Sequence, residues 1–226
     1  MNIKPFTHDG FFVGTSVLIT GVSGSLGSAL SRELLKPGYR LRRLAGLARK
    51  WQPLKDLETE LADDRFRAFV GDIRDLDRLR IAMRGIDFVV HAAALKDVRY
   101  AAYNPTEALS INCVGTQNVL QVSNECGVGR VLVISTDKSP WAVNIYGATK
   151  QVAEHLTVAY NAYSGSMGTR YAVARYGNVI GSSGSVVPLF FRQRDAGKLT
   201  LTDPQMTRFW ITMPDAVAFV IQCLRE

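Results

Sequence analysis

Short apolar runs alternate with longer amphipathic segments along most of the chain. Six short, mostly apolar runs have the length of buried strands, and they lie at 16–20, 41–48, 67–72, 87–93, 130–135 and 170–176. Helical periodicity fills the intervals, at 26–36, 53–62, 76–83, 105–126 and 144–163. Continuous apolar strands separated by helices indicate a parallel sheet that is covered on both faces. The pattern therefore predicts an α/β fold built on a doubly wound parallel sheet.

The regular alternation ends after residue 176. A loop, SSGS at 182–185, leads into a helix near 185–196. Two short strands are predicted next, LTLTD at 199–203 and RFWIT at 208–212, and a last helix is predicted from Pro214 to Arg225. We interpret residues 1–176 as one domain and residues 177–226 as an incomplete, smaller C-terminal lobe.

The composition narrows the class of protein. Hydrophobic residues make up 47% of the 226 residues and charged residues 21%, which supplies enough apolar material for a large core. The net charge of +7 is concentrated, because residues 32–50 carry seven basic side chains and one acidic one. A nucleic-acid-binding protein usually spreads its basic residues along a face, so we expect no nucleic acid partner.

The sequence carries no recognisable targeting or metal-binding signal. It has no run of about 18 apolar residues and no signal-peptide pattern, so we expect a cytoplasmic protein without a membrane span. The three cysteines are widely spaced and form no CxxC pair. This spacing predicts free thiols in a reducing compartment and no metal site.

The first strand leads into a glycine-rich turn. Gly21, Gly24 and Gly27 follow it at three-residue spacing and directly precede a helix. The first glycine permits a tight turn, the second lets a pyrophosphate approach the backbone, and the third lets the helix pack closely. The anion then lies at the helix N-terminus. The turn predicts a Rossmann-like dinucleotide site that is formed by Gly21, Ser23, Gly24, Ser25, Leu26 and Gly27.

The end of the second strand indicates which dinucleotide binds. An acidic residue there would accept a hydrogen bond from the ribose 2′-hydroxyl of NAD, but this chain has Arg49 and Lys50. A guanidinium binds a 2′-phosphate through two parallel hydrogen bonds, whereas a carboxylate would repel it. We predict NADP as the cofactor, with Arg49 as the principal contact and Lys50 beside it.

Further cofactor contacts are predicted where the next two strands end. Asp72 is placed to accept a hydrogen bond from the adenine amino group and Ile73 to pack on the ring, while Asp75 serves as a helix N-cap. The fourth strand ends in small residues that let the cofactor approach the backbone, Ala92, Ala93 and Ala94. We interpret His91 as a hydrogen-bonded core residue and not as a catalytic group.

The segment after the fifth strand carries the candidate catalytic groups. Tyr146 and Lys150 lie four residues apart at the start of a helix, so they project from one face. A neighbouring ammonium and a nicotinamide cation lower the pKa of a tyrosine by about 1–3 units. Tyr146 is therefore a candidate general base toward a sugar hydroxyl, with Thr136 or Ser135 donating a hydrogen bond from the strand end.

Several motifs, in order along the chain, resemble the extended short-chain dehydrogenase/reductase superfamily. They are HAAALKDV, STDK, NIYGATK, VARYGNVIGSSGSVVPLF and MTRFWITMPDAVAFV. The closer resemblance is to the inverting UDP-N-acetylglucosamine 4,6-dehydratases of polysaccharide and nonulosonate biosynthesis, and it covers nearly the whole chain. It implies that residues 1–176 form the NADP-binding domain with the catalytic Tyr and Lys, and that residues 177–226 form a partial substrate-binding lobe.

The resemblance implies a reaction without net redox change. Tyr146 takes the C4 hydroxyl proton while hydride passes from C4 to NADP, and the ketone acidifies C5–H. Lys138 then removes the C5 proton, Asp137 protonates the departing C6 hydroxyl, and hydride returns to C6; these two roles could be exchanged. Related glucose-type dehydratases carry Glu in place of Lys138, and retaining enzymes usually carry Met in place of Tyr146. The alternative is that Asp137 and Lys138 only pair with each other.

The resemblance also assigns residues to a UDP-sugar. Positions that hold UDP in the family are matched by Asn178, Val187 and Pro188. Arg208 is a candidate diphosphate contact or a salt-bridge partner within the lobe. Lys96 follows the fourth strand and is a candidate contact at the opening of the same substrate site. Asn112 matches a position that steadies the active-site backbone. Helices 105–126 and 144–163 either form a four-helix dimer interface or pack within the chain, and we expect a homo-oligomer.

Two other functions stay open at the level of sequence. A sugar-nucleotide 4-epimerase or reductase would use the same glycine turn and the same Tyr146 and Lys150, without needing Asp137 and Lys138. The other is a cofactor-binding remnant without turnover, because relatives continue beyond the last matched segment whereas this sequence ends at Glu226.

Overall fold

The large sheet of the molecule is parallel and has six strands. The computed structural model describes residues 10–182, 184–201 and 203–226. The strands are β1 (Ser16–Thr20), β2 (Arg43–Ala48), β3 (Phe66–Val70), β4 (Phe88–His91), β5 (Arg130–Thr136) and β6 (Arg170–Tyr176). Their order is β3-β2-β1-β4-β5-β6, and every neighbouring pair is parallel. The order reverses between β1 and β4, which is where such sheets bind ligands beyond the carboxyl ends of their strands. The predicted doubly wound α/β fold is confirmed.

Helices cover both faces of this sheet. They are α1 (Ser25–Leu34), α2 (Trp51–Leu61), α3 (Leu76–Met83), α4 (Val98–Tyr103), α5 (Pro105–Leu109), α6 (Gly115–Glu125), α7 (Ile145–Tyr163), α8 (Val186–Asp195) and α9 (Met213–Arg225). One face of the sheet carries a core that includes Leu30, Leu54 and Val220. Two side chains of β1, Val17 and Ile19, belong to the same core. Leu79 and Leu120 belong to a second core on the other face. The two cores hold the carboxyl ends of the strands in fixed positions.

The helix predicted over 105–126 is interrupted. A π-helical turn at Ser110–Val114 separates α5 from α6. Asn112 lies in this turn and is buried, and its side chain makes hydrogen bonds outside the helix. Such single π turns often mark functional positions in helices. The sequence pattern also missed α4, whose N-cap Asp97 accepts hydrogen bonds from the N–H groups of Arg99 and Tyr100.

The segment after β6 forms a small second sheet. It contains β7 (Asn178–Val179) and β8 (Trp210–Ile211), which are parallel. The strand predicted at LTLTD is wrong for the residues that the structure describes there, 199–201 and 203, which are exposed and form no strand; Thr202 lies outside the described residues. The β-propensity of that segment is not matched by a neighbouring strand to pair with.

The last helix packs on the large sheet. Val217, Val220 and Leu224 of α9 are buried in the same core as Leu30 and Leu34 of α1. The domain boundary after residue 176 stays a prediction, and α9 lies with the larger unit. Among the described residues, none of the helices combines the length and the apolar character needed to cross a membrane.

Candidate active site

The glycine turn joins β1 to α1 at the point where the strand order reverses. Gly21 has a φ of +71°, a conformation that favours glycine, and its N–H donates to the Leu47 carbonyl at 2.8 Å. A Cβ atom at position 21 would lie 2.8 Å from the Cα of Ala93. The turn and the loop after β4 therefore approach each other closely, and two of the predicted small residues form this contact.

The N-terminus of α1 is open to an anion. Its N-cap is the exposed Gly24, which makes no side-chain hydrogen bond to the first turn. A Cβ at Gly27 would lie 2.6 Å from the Gly21 carbonyl oxygen and from the Cα of Val22, so the helix packs directly on the turn. Ser23, Ser25 and Leu26 are half-buried around it. These residues fit a dinucleotide pyrophosphate, because the N–H groups of a first helical turn and the helix dipole both favour negative charge there.

Arg49 and Lys50 lie just beyond β2, and both are exposed. Most of the other basic side chains of the 32–50 segment already have partners. Arg32 pairs with Glu60, Lys36 with Glu33, and Arg42 with Asp87. Arg43 donates to the carbonyls of Arg84 and Gly85. The basic segment is thus mostly a set of local ion pairs and hydrogen bonds, and Arg49 and Lys50 are the members next to the glycine turn.

The loop after β3 holds Asp72 in an ion pair. Arg74 donates to Asp72 from its backbone N–H at 2.9 Å and from its guanidinium at 2.7 Å, and this keeps the pKa of Asp72 below its usual value. The charge of Arg49 acts in the same direction. Ile73 is 3% exposed and its side chain meets Gly115 of α6, so it lies in the core and its contact with an adenine ring stays a prediction. Asp75 caps α3 as predicted.

His91 is a buried core residue, as the sequence indicated. Its Nδ1 lies 2.7 Å from the Thr20 hydroxyl and its Nε2 lies 3.0 Å from the Thr116 hydroxyl. Burial lowers its pKa to about 3, and the nearby Lys150 acts in the same direction. The ring is therefore neutral at physiological pH, and both of its nitrogens are engaged.

Tyr146 and Lys150 occupy the first two turns of α7. Asn144 caps the helix by accepting a hydrogen bond from the Gly147 N–H at 2.9 Å. A Cβ at Gly147 would lie 2.5 Å from the Lys138 carbonyl oxygen, so this glycine lets the helix start lie against the loop after β5. Lys150 is 3% exposed, and burial lowers its pKa to about 8.

The fold raises the pKa of Tyr146, whereas the sequence reasoning predicted that it would be lowered. Burial raises its pKa, a hydrogen bond with Thr136 lowers it, and the charge of Asp137 raises it again. Burial is the largest of these effects in the chain itself, whereas the sequence reasoning counted on neighbouring positive charge. Thr136, and not Ser135, is the residue at the strand end that reaches Tyr146; the Ser135 hydroxyl donates to Glu154 instead.

Asp137 and Lys138 form an ion pair directly beside this tyrosine. The Lys138 Nζ lies 2.8 Å from Asp137 Oδ1 and donates to Asn178 Oδ1 at 3.0 Å. The Thr136 hydroxyl donates to the same Asp137 oxygen at 3.1 Å. The structure thus brings five predicted site residues together, and it also contains the simple ion pair that was the alternative interpretation.

Asn112 connects the loop after β4 to α7. Its Oδ1 accepts from the Leu95 N–H at 2.8 Å, and its Nδ2 donates to the Leu95 carbonyl at 3.1 Å and to the Thr149 hydroxyl at 3.0 Å. This is the backbone-steadying position that the resemblance implied.

The remaining predicted substrate residues lie on three different segments of the chain. Lys96 is exposed in the loop after β4. Val187 and Pro188 are half-buried in the first turn of α8. Arg208 is exposed and donates to the Thr207 carbonyl, and within the described residues it forms no ion pair. Asn178 contacts a catalytic candidate directly, because its Oδ1 accepts a hydrogen bond from the Lys138 Nζ.

Sequence reasoning missed the groups that surround the ion pair. Glu154 is buried and accepts hydrogen bonds from Ser135, Ser139 and Arg175. A sequence signal was available, because Glu154 lies one helical turn after Lys150 on the same face of α7. Within the described parts of the chain, no group of three or more His, Cys, Asp or Glu side chains is arranged to hold a metal ion.

Comparisons with known proteins identify the family of this chain. The model of a family described as "Polysaccharide biosynthesis protein" matches residues 17–226. An inverting UDP-N-acetylglucosamine 4,6-dehydratase from Campylobacter jejuni is 43% identical over 212 residues, which are 93% of this chain and 63% of that protein. A UDP-glucose 4-epimerase from Rickettsia akari is 37% identical over 213 residues, which are 93% of this chain and 62% of that protein. The chain thus spans less than two thirds of these relatives.

A solved structure extends the likeness to the fold. The dTDP-glucose 4,6-dehydratase from Streptomyces venezuelae, determined with NAD bound, superimposes with a TM-score of 0.84 at 26% identity. The alignment covers 94% of this chain and 72% of that one. The resemblance to extended short-chain dehydrogenase/reductases that the motifs indicated is confirmed.

Proposed function

The chain belongs to the polysaccharide biosynthesis protein family, within the nucleotide-sugar dehydratases and epimerases of extended short-chain dehydrogenase/reductase type, and from this premise we propose that it is a C5-inverting UDP-N-acetylglucosamine 4,6-dehydratase. The observation that carries the proposal is the Asp137–Lys138 pair at 2.8 Å, next to Tyr146 at the end of β5. An acid and a base beside the oxidised sugar are what water elimination requires and epimerisation does not.

We propose NADP as the cofactor. The glycine turn and the N-terminus of α1 would hold the pyrophosphate, and Arg49 with Lys50 would hold a 2′-phosphate. Bound NADP supplies a hydride acceptor for C4 and a hydride donor for C6. A neighbour in the superfamily was solved with NAD, so the choice between the two dinucleotides depends on these two basic residues alone.

The chain's own residues would perform the proton transfers. Tyr146, bonded to Thr136, takes the proton of the C4 hydroxyl. Lys138 removes the C5 proton, for which it must be neutral, and Asp137 delivers a proton to the C6 oxygen as water leaves. In the structure the Lys138 Nζ donates hydrogen bonds to Asp137 and to Asn178, and these two contacts fix its position. Lys150 would bind and orient the cofactor.

A 4-epimerase is the second candidate, because some relatives that match the chain carry that name. An epimerase needs Tyr146 and the cofactor, but its reaction includes no proton transfer at C5 or C6 that would require Lys138. The presence of Asp137 and Lys138 side by side at the strand end therefore favours the dehydratase.

Incubation with UDP-N-acetylglucosamine and no added reductant tests the proposal. We expect a 4-keto-6-deoxy product whose mass is lower by one water, and we expect Lys138→Ala to abolish its formation while Tyr146→Phe abolishes the earlier oxidation as well. Formation of UDP-N-acetylgalactosamine alone would identify an epimerase. NADP binding without any turnover would show that this chain is a cofactor-binding unit only.

We also propose a homo-oligomer. The helical layer of α5, the π-helical turn, α6 and α7 keeps large apolar side chains at the surface, among them Leu109, Val114, Val152 and Val158. Exposed apolar patches on a soluble domain commonly mark an interface between chains. Light scattering would give a mass of at least twice 24.9 kDa, and Val158→Glu would return it to that of one chain.

A further inference from the structure

Glu154 is a buried acidic residue that the mechanism above does not use. It lies on α7, one turn after Lys150, and is 5% exposed. The guanidinium of Arg175, on β6, donates to both of its carboxylate oxygens. Burial opposes its charged form, yet the hydrogen bonds from Arg175, Ser135 and Ser139 hold the pKa of Glu154 below its usual value. It therefore carries a negative charge inside the fold at neutral pH.

Glu154 accepts hydrogen bonds from the residues on either side of the catalytic loop, Thr136–Lys138. Ser135 precedes Thr136 in β5, and its hydroxyl donates to Glu154 Oε1. Ser139 follows Lys138, and its hydroxyl donates to the same oxygen and lies 2.8 Å from the Thr136 carbonyl oxygen. One carboxylate oxygen thus fixes the residue before and the residue after the Thr136–Lys138 segment.

The same carboxylate faces the buried Lys150. The titratable groups around that ammonium come from several elements: His91 from β4, Cys113 from the π-helical turn and Glu154 from α7 itself. His91 is neutral, and burial raises the pKa of the Cys113 thiol, so both are uncharged at neutral pH. Glu154 is the anion of this set, and Arg175 offsets part of its charge from β6.

We propose that Glu154 is a positioning residue with two actions: it fixes the Thr136–Lys138 loop through Ser135 and Ser139, and its negative charge stabilises the ammonium of Lys150 one helical turn away on α7. The inference rests on the proposed dehydratase for its effect on turnover, but its effect on Lys150 does not depend on any sugar. An alternative is that Glu154 and Arg175 only tie α7 to β6, which would affect stability and nothing else.

Two readouts test the two actions separately. The first is NADPH affinity, measured by fluorescence from pH 6 to pH 10 on the full chain. Lys150 has a pKa of about 8, so we expect wild-type affinity to fall as pH rises through that value. Glu154→Gln removes the charge that raises this pKa, so the midpoint should move lower by about one pH unit. Glu154→Asp keeps the charge and should restore most of it.

The second readout is kcat for dehydration. Ser139→Ala leaves the charge of Glu154 in place but frees the loop, so we expect kcat to fall about tenfold or more with an unchanged pH midpoint. Arg175→Gln should move the NADPH midpoint in the opposite direction, to higher pH, because it leaves the negative charge of Glu154 uncompensated. If Glu154→Gln does not fold, the shift in Arg175→Gln alone tests whether the charge of Glu154 acts on Lys150.

The outcomes distinguish this inference from the proposed function. A wild-type chain that binds NADPH but converts no UDP-sugar would refute the dehydratase, and the pH midpoints would still decide the role of Glu154. Midpoints that stay at the wild-type value in both Glu154→Gln and Arg175→Gln, with folding confirmed by circular dichroism, would overturn the inference. A Ser139→Ala variant with wild-type kcat would overturn its positioning action.

Discussion

Replacing Arg49 tests the assignment of the cofactor most sharply. Arg49 is exposed just after β2, close enough to Asp72 to lower the pKa of that carboxyl. In Arg49→Ala the guanidinium that would bind a 2′-phosphate is lost, and the negative charge of Asp72 remains near the site, paired with Arg74. Both changes disfavour NADP, whereas NAD carries no 2′-phosphate and is not affected in the same way.

The expected loss follows from the kind of contact. A hydrogen bond to a charged group contributes about 1.5–3 kcal/mol, and a bidentate guanidinium–phosphate contact is at the strong end of such bonds. This corresponds to a loss of about 10- to 150-fold in the affinity for NADP. The affinity for NAD should change little, so the preference for NADP should shrink by nearly the same factor.

Arg42→Ala provides a matched control in the same basic segment. Arg42 pairs with Asp87 at 3.3 Å and lies before β2, at the opposite end of the strand from Arg49. Six strand residues span about 17–20 Å, which exceeds the screening length of about 10 Å at 0.1 M salt. This control removes one positive charge without touching the 2′-phosphate, and NADP affinity should stay near the wild-type value.

Titration calorimetry with NADP and NAD at 0.1 M salt would measure all three proteins. The reasoning would be refuted if wild type bound NAD more tightly than NADP, or if Arg49→Ala and Arg42→Ala weakened NADP to the same extent. The second result would mean that net charge, and not a specific contact, attracts the cofactor.

Three further predictions concern the loop, the core and pH. Gly147→Ala should displace the Lys138 carbonyl, which a Cβ would approach to 2.5 Å, and lower kcat at least tenfold with little change in NADPH affinity; unchanged kcat would contradict this. Ile221→Ala should lower the free energy of unfolding by about 2–5 kcal/mol in urea if α9 is part of the main core, whereas a loss below 1 kcal/mol would place it outside. His91 has a pKa of about 3 when folded and about 6.5 when unfolded, so the unfolded chain binds the extra proton between these values. Stability should therefore decline by up to about 1.4 kcal/mol per pH unit as pH falls through this range, and His91→Gln should show a shallower decline in urea titrations; equal slopes would contradict the assignment.

The local signals in the sequence predicted the parts of the site that depend on neighbours in the chain. The glycine turn was predictable because Gly21 needs a positive φ and Gly27 has no room for a Cβ. Tyr146 and Lys150 were predictable because a helix places residues four apart on one face. The six strands of the large sheet were predictable because each includes a short apolar run of strand length.

The parts that depend on distant contacts could not be predicted in this way. The π-helical turn exists where Asn112 binds the backbone of Leu95, seventeen residues away. The role of Glu154 requires β5, β6 and α7 to meet, which no local pattern encodes. The sign of the pKa change of Tyr146 depends on how deeply the fold buries it, and the described residues of the predicted strand at 199–203 form no strand.

The most direct test of the central claim is the reaction of UDP-N-acetylglucosamine in deuterium oxide. If Asp137 and Lys138 act as acid and base at C6 and C5, the product will be a 4-keto-6-deoxy sugar with a solvent deuterium at C5, while the hydrogen that left C4 will be found at C6. Nuclear magnetic resonance and mass spectrometry of the product resolve both positions. A product of unchanged mass that differs from the substrate at C4 alone, without solvent deuterium, would contradict the account.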